Sequence, residues 1–577
     1  MKKFSLHAAI LLLSFTLAIP GFVLAQQKTQ PQSPPGSSSA TRPSTNVPAP
    51  GRRGTRGTSG NVIPLIERDF GEALELIKEN YVEGKNLDYN AAFKSSIIGM
   101  LRSLDPHSNY FDREEFEELK TDQRSEYFGI GASIYNYTVG KDADTFIIAT
   151  FAEAPANRAG LRFGDRIVAV DGVKMTGKPS AEVRDKIRGP RGSVVKITIE
   201  RALDKRVSTL EITRDAVPQP SIPDSYLLKP SVGYVDMSRG FNYDTTEKLQ
   251  DAIEDLRAKG MTSLVLDLRN NPGGFLDQSI NVAELFLPAR QLILTQKGRN
   301  GLRDNTYISR NTTPDLIPLV ILINESTASA SEIVAGAMQD HDRALIVGKT
   351  SFGKGLVQSI IPLEFGAGLT LTSAKYFTPS GRLIQRDYSN GGFYDYYTHG
   401  GSNRLDRKPE VNKPSGLEKK TDTGRAVYGG GGIAPDEEVN AKVITPGQRK
   451  LLSPIFSFSR ELVNGRVKGF DAYRVQQAID FDHGLQATDF PITDSLFQSF
   501  KDFIASDPGL KSLSSLVEAN RSFVQLQLRF NLVTAAYGRV MADRVFVTGE
   551  DPQVMRALEV VPRARDLAMS ARQRTQP

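Results

Sequence analysis

The sequence predicts a multidomain α/β protein: a sheet-and-helix core preceded by a β-rich domain, with helical regions at both ends. Three observations carry this expectation. The apolar runs Leu264 to Leu268, Leu316 to Ile323 and Ala344 to Val347 are short, continuous and bounded by Gly, Pro or Asn, as buried parallel strands are. Helical patterns follow the first two, over Leu276 to Leu287 and Ser331 to Gln339. At 577 residues the chain also exceeds what one hydrophobic core organises.

From the N-terminus, Lys2 and Lys3 precede the apolar run Ala8 to Leu17, a Pro20-Gly21 break follows, and Val23-Leu24-Ala25 fits a small-residue cleavage site. An export signal over 1–25 is expected, hence a periplasmic or cell-envelope location; a membrane association would follow only if the signal were retained. Residues 26–60 are rich in Gln, Pro, Ser, Thr, Gly and Arg and read as a disordered linker. Over 61–125, apolar residues at helical spacing, such as Leu65, Phe70, Leu74 and Ile77, predict a small helical domain. Its second helix must stop at "SLDPHSNYF" (103–111). Residues 126–216 carry the short β-rich runs "FIIATF", "DRIVAVDG", "VVKITIER" and "LEITR", with a helix at Ser180 to Ile187. The core spans 217–442 and includes a Gly- and Tyr-rich surface loop over 387–432. Helical spacing returns over 443–577. There is no cysteine, so disulfides and thiolate metal sites are excluded, and 72 Lys+Arg against 66 Asp+Glu, spread without a one-sign block, does not indicate nucleic acid.

In a parallel sheet the loops after the strands share one edge, where ligands bind. Three loops then meet: "RNNPGG" (269–274), "NESTASAS" (324–331) and "KTSFGKG" (349–355). The second places hydroxyls at a helix N-terminus, which favours developing negative charge. The third offers Lys354 between two glycines; enclosed by apolar structure, a lysine loses basicity and becomes a usable base. The first offers backbone N–H groups free to approach an oxyanion. Singly, these features are a helix cap, a surface lysine and a turn. Their joint placement makes nucleophilic catalysis the sharper reading.

Other motifs fail. No Gly-x-Ser-x-Gly occurs, "GKT" at 348–350 has Arg343 where a phosphate loop needs glycine, and "GIG" at 129–131 lacks a third glycine. Only His107, His341, His399 and His483 lie outside the leader, and His341 stays a formal rival to lysine as base.

With "LDPHSNYF", "GDRIVAVDG", "LDLRNNPGG", "TASASEIVAGAMQD", "GKTSFGKGLVQ", "YFTPSGRLIQ" and "GGIAPD", the chain resembles the C-terminal processing peptidases, also called tail-specific proteases, from about residue 65 to 442. The resemblance implies a crotonase-like α/β protease core, a PDZ domain over 126–216 and a Ser-Lys serine endopeptidase acting through an acyl-enzyme. It implies Ser329 as nucleophile, Lys354, 25 residues on, as general base and Gln358 as the residue orienting the lysine. The oxyanion donors would be the N–H groups of Ala330, Gly273 and Gly274. Gln358 rests on the resemblance alone, because a fully extended 354–358 segment would hold the two α-carbons roughly 13 Å apart. Phe128, Gly129, Ile130 and Gly131 of "YFGIGASI" would hold a substrate's terminal carboxylate while the peptide adds as a strand. Arg188 would help gate the site. Glu332 reads as a dipole-stabilising residue of the first helical turn. No metal or cofactor is implied. The partners are polypeptides bound by their C-termini, with a homodimer or a regulatory adaptor left open. The rival from another class is a non-catalytic PDZ scaffold that only binds peptides.

Overall fold

The computed structural model describes residues 63–83, 86–123, 126–139, 142–389, 396–397, 416–475 and 477–575. The expected signal and linker, and much of the 387–432 loop, lie outside them. Among the described residues no helix is long and apolar enough to cross a membrane.

The N-terminal segment forms α1 (Ile63–Asn80) and α2 (Tyr89–Arg102). Asp88 caps α2 by accepting the Ala91 N–H at 3.0 Å. Beyond the stop, the Asp105 carboxylate accepts the N–H groups of His107 and Ser108, both at 2.8 Å, and bends the chain into β1 (Asn109–Phe111), ahead of α3 (Arg113–Gln123). This segment is not the closed helical unit that its spacing suggested. Strand β1 pairs with a core strand, and α1 buries no residue, leaving Leu65, Ile66 and Phe70 exposed.

The β-rich domain contains β2 (Glu126–Gly129), β3 (Ala132–Val139), β4 (Asp142–Thr150), β5 (Arg166–Val170), α4 (Ser180–Ile187), β6 (Val194–Glu200), β7 (Val207–Thr213) and β8 (Asp215–Pro218). Its antiparallel sheet runs β3-β4-β5-β6-β7, so β3 is an edge strand, and β2 pairs separately with β8. Ile147, Ile167, Val195 and Ile197 are fully buried; β6 alternates as a strand with one covered face does, whereas β4 is buried on both faces.

The core comprises β9 (Asp224–Lys229), β10 (Val232–Asp236), α5 (Thr245–Ala258), β11 (Ser263–Asp267), α6 (Leu276–Phe286), β12 (Leu292–Gly298), β13 (Asn305–Ile308), β14 (Leu319–Ile323), α7 (Ala330–Asp340), β15 (Leu345–Gly348), β16 (Leu356–Pro362), β17 (Gly368–Phe377) and β18 (Glu437–Glu438). The main sheet has the order β9-β10-β11-β14-β15-β18 and is parallel from β10 onward. A second, antiparallel sheet joins β1, β17, β12 and β13, with β16 on β17.

The continuous apolar runs have a clear cause, since β11, β14 and β15 are buried on both faces. Leu264, Leu266, Ile321 and Ile346 pack against α5, α6 and α7. Their neighbours Val265, Val320, Leu322 and Val347 point the other way and meet the last helix of the chain.

That helix ends the C-terminal region, which holds α8 (Pro446–Val463), α9 (Asp494–Ser506), α10 (Arg521–Gly549) and α11 (Pro552–Thr575). The region serves two neighbours. Val554, Ala557, Val560 and Ala564 of α11 cover the main sheet. The helices α8 to α10 bury their apolar faces against Phe146, Ile148 and Phe163 of the β-rich domain. Phe456 of α8 stacks on Tyr137 with ring centroids 4.0 Å apart and meets Phe146 edge-on at 5.1 Å. Between these contacts α10 kinks at Gly538 (φ 84°), where a side chain would meet the Phe481 ring at 2.9 Å.

Phe456 is fully buried between two bodies of the fold. We expect Phe456→Ala to lower stability by about 3–5 kcal/mol, read as a lower urea midpoint of unfolding.

Candidate active site

The three loops meet at the sheet edge, and their hydrogen bonds say how. Thr327 Oγ1 donates to the Leu268 carbonyl at 2.8 Å, and the Ala328 N–H donates to the Asn271 carbonyl at 2.9 Å. The Asn270 N–H reaches Asn324 Oδ1 at 2.9 Å, and the Phe352 N–H reaches the Thr327 carbonyl at 2.8 Å. The first and third loops are therefore both fastened to the serine loop.

Ser329 is the N-cap of α7 and has φ 58° and ψ −115°, a conformation that few residues other than glycine adopt. What holds it there is Glu332, three residues on and wholly buried. One carboxylate oxygen accepts the N–H groups of Ser329 (2.8 Å) and Lys354 (2.9 Å). The other accepts the Ser351 hydroxyl (2.5 Å) and the Gly353 N–H (2.7 Å). Burial pushes the Glu332 pKa up, and the bonds from Ser351, Lys354, Gly353 and Ser329 oppose it. Glu332 is thus more than the dipole-stabilising residue its position suggested, because it ties the serine turn to the lysine loop. Tyr376, also missed by sequence reasoning, closes the same junction. Its hydroxyl lies 2.6 Å from the Lys354 carbonyl and 3.1 Å from that of Ser329.

Lys354 is half-buried as a residue, and loss of water around its ammonium lowers its pKa from 10.5 to about 8, against the pull of Glu332 and Asp105. No hydrogen bond joins this ammonium to the Ser329 hydroxyl among the described residues. Near Lys354 stands His107, from the turn after α2. Burial, with Lys354 and Arg386 nearby, lowers its pKa to about 2 and keeps the imidazole neutral. Its Nε2 lies 2.7 Å from the Tyr396 hydroxyl, and its ring meets Phe352 and Tyr397 edge-on. In sequence "LDPHSNYF" marks only a helix stop; its histidine is brought next to the lysine loop by the pairing of β1 with β17, which no local pattern reveals.

Two expected roles are not met by these contacts. The Gly273 N–H is spent on Asn271 Oδ1 at 2.9 Å. Gly273 (φ 99°) instead abuts the serine turn so closely that a side chain there would lie 2.8 Å from Ser329 Cβ. The N–H groups of Gly274 and Ala330 have no acceptor among the described residues, so the free donors are these two. Gln358 sits on β16 after a bulge, and its amide donates to Thr372 Oγ1 at 3.2 Å, not toward the lysine. The rival base His341 caps the far end of α7, roughly 18 Å from Ser329 by helical rise. Its two ring nitrogens lie against Asp422 (2.9 Å) and the Leu292 carbonyl (2.6 Å).

At the β-rich domain, Phe128 and Gly129 end β2, and Ile130 and Gly131 lead into the edge strand β3. Gly131 has φ 71° and could not carry a side chain, which would meet Ala154 Cβ at 2.3 Å. The Ile130 side chain is buried, so this turn offers only its backbone, and the N–H groups of Ile130 and Gly131 have no backbone acceptor among the described residues. Arg188 ends α4, where its charge acts on Glu118 of α3.

The model of peptidase family S41 matches residues 231–391, and a PDZ-domain model matches 152–201. A carboxy-terminal-processing protease of Bartonella bacilliformis is 38% identical over 338 residues, covering 57% of this chain and 75% of that protein. The chain belongs to peptidase family S41. A second relative, the chloroplastic C-terminal processing peptidase of Tetradesmus obliquus, is 32% identical over 337 residues, covering 56% of this chain and 72% of that one. Among solved structures, the photosystem II D1 C-terminal processing protease is 27% identical and covers 64% of this chain and 92% of its own, with a TM-score of 0.35. The β-rich domain of this S41 chain is its PDZ domain.

The Glu332 carboxylate holds two donors on each oxygen, and an amide cannot accept four bonds. We expect Glu332→Gln to destabilise the protein by about 2–4 kcal/mol and to abolish activity, read by thermal unfolding and peptide cleavage.

Proposed function

We propose that this chain is an exported serine endopeptidase that takes the C-terminal tail of a protein into its PDZ domain and cleaves it through an acyl-enzyme. The observation that carries the reading is the Glu332 clamp, which fixes the turn of Ser329 and the loop of Lys354 to one buried carboxylate. Ser329 attacks the scissile carbonyl, and neutral Lys354 takes its proton and returns it to the leaving amine. The N–H groups of Gly274 and Ala330 receive the oxyanion, helped by the N-terminal end of α7. Water then releases the acyl group by the same route. Bond formation requires the neutral Lys354 amine and the Ser329 hydroxyl to close on each other, a tightening that substrate engagement supplies. Gln358 would join the lysine only after a rearrangement of β16, and Arg188 would act on the site through α3.

The PDZ reading is supported by the unpaired N–H groups around Ile130 and Gly131 beside an edge strand. A terminal carboxylate fits the former and the peptide backbone fits the latter. Toward the end of that edge, the Thr138 N–H donates to Ser453 Oγ of α8 at 3.2 Å, which limits how far a bound peptide can pair. The exposed apolar residues of α1 favour association on that face, with a second copy or an adaptor.

Ser329→Ala in the full chain is expected to lose cleavage and to keep tail capture. Undiminished cleavage would remove Ser329 as nucleophile, whereas capture without cleavage by the unaltered chain would favour the scaffold. The base must be unprotonated, so kcat/KM should rise about tenfold per pH unit up to about pH 8 and then level, and Lys354→Met should lie flat near zero.

Amidating the C-terminus of a peptide substrate should weaken its capture, measured as a higher KM with kcat little changed. Equal KM for the acid and the amide would rule out carboxylate recognition by residues 128–131.

A further inference from the structure

We propose that Asp551 and Gln553, at the start of the last helix, are positioning residues for the oxyanion donors, acting through Arg269. The proposal rests on the reading of Ser329 given above. Arg269 opens the loop 269–274, and its side chain is only 13% exposed. On one side its guanidinium grips Asp267, at the end of β11, with contacts of 2.6 to 3.0 Å. On the other side its Nη1 donates to Asp551 Oδ2 at 2.7 Å and to Gln553 Oε1 at 2.9 Å.

Both partners are themselves fixed. Asp551 Oδ1 accepts the N–H groups of Gln553 (2.9 Å) and Val554 (3.2 Å) at the start of α11. Gln553 is 1% exposed, and its amide donates to the Val439 carbonyl at 2.8 Å.

The loop has little slack through which a displaced Arg269 could be absorbed. Asn270 sits at φ 60° with its N–H on Asn324, Asn271 is held from both its carbonyl and its side chain, and Pro272 is rigid. Movement at Arg269 therefore reaches Gly274. The helix does not need these two polar residues to dock, because Val554, Ala557, Val560 and Ala564 bury the apolar contact. A buried ion pair adds little net stability over apolar packing, so placement of the loop is the better account of this one.

The test uses Asp551→Asn and Gln553→Met, both close in size to the originals, singly and combined in the full chain. For the combined variant we expect kcat on a C-terminal peptide to fall about ten- to hundredfold with KM within about twofold. Affinity for a peptidyl boronic acid, whose tetrahedral adduct uses the same donors, should fall by the same factor as kcat. Arg556→Gln removes a 2.8 Å contact between α11 and Glu437 without touching the loop, and should leave both quantities unchanged. Normal kcat and boronate affinity in the folded double variant would overturn the proposal. If the double variant does not fold, the single variants decide by the same two readouts. An active Ser329→Ala would sink the nucleophile itself, whereas an inactive Ser329→Ala beside normal turnover in these variants would sink only the positioning role.

Discussion

One buried carboxylate organises this protein's chemistry. Glu332 sits where an ordinary helix would place a solvated acid, yet it is wholly buried and its two oxygens receive four donors from two loops. A negative charge without water persists only when so satisfied, and the donors gain fixed positions in return. The left-handed turn at Ser329 is held by the same bonds. Strain at Ser329 and order in the lysine loop are two effects of one group.

The main sheet was legible in the sequence because strands buried on both faces must be apolar at every position, as in "LVILI" (319–323). The meeting of the three loops was legible too, since parallel strands put their following loops on one edge. Partners were less legible. Helical spacing over 443–577 says that one face of each helix is buried but not against what, so nothing local assigns α11 to the main sheet or α8 to the PDZ domain. β1 was hidden because three residues carry no period, and the Gly273 N–H because an asparagine two residues away claims it.

The arrangement also changes how the domains are to be regarded. The PDZ domain is held by packing on α8 to α10, by the Arg460 guanidinium on the Gly164 carbonyl (2.7 Å) and by Arg466 on the Ala202 and Leu203 carbonyls (both 2.8 Å). The same C-terminal region lies across the main sheet. The PDZ domain and the main sheet thus share one support, and the Gly538 kink lets a single helix turn from one to the other.

Because α11 supplies the outer cover of the parallel sheet, a layer begun at β11 is finished by residues some 300 positions further along the chain. Without that helix the apolar faces of β11, β14 and β15 would be wet on one side, so the sheet that carries the three loops depends on a segment distant in sequence.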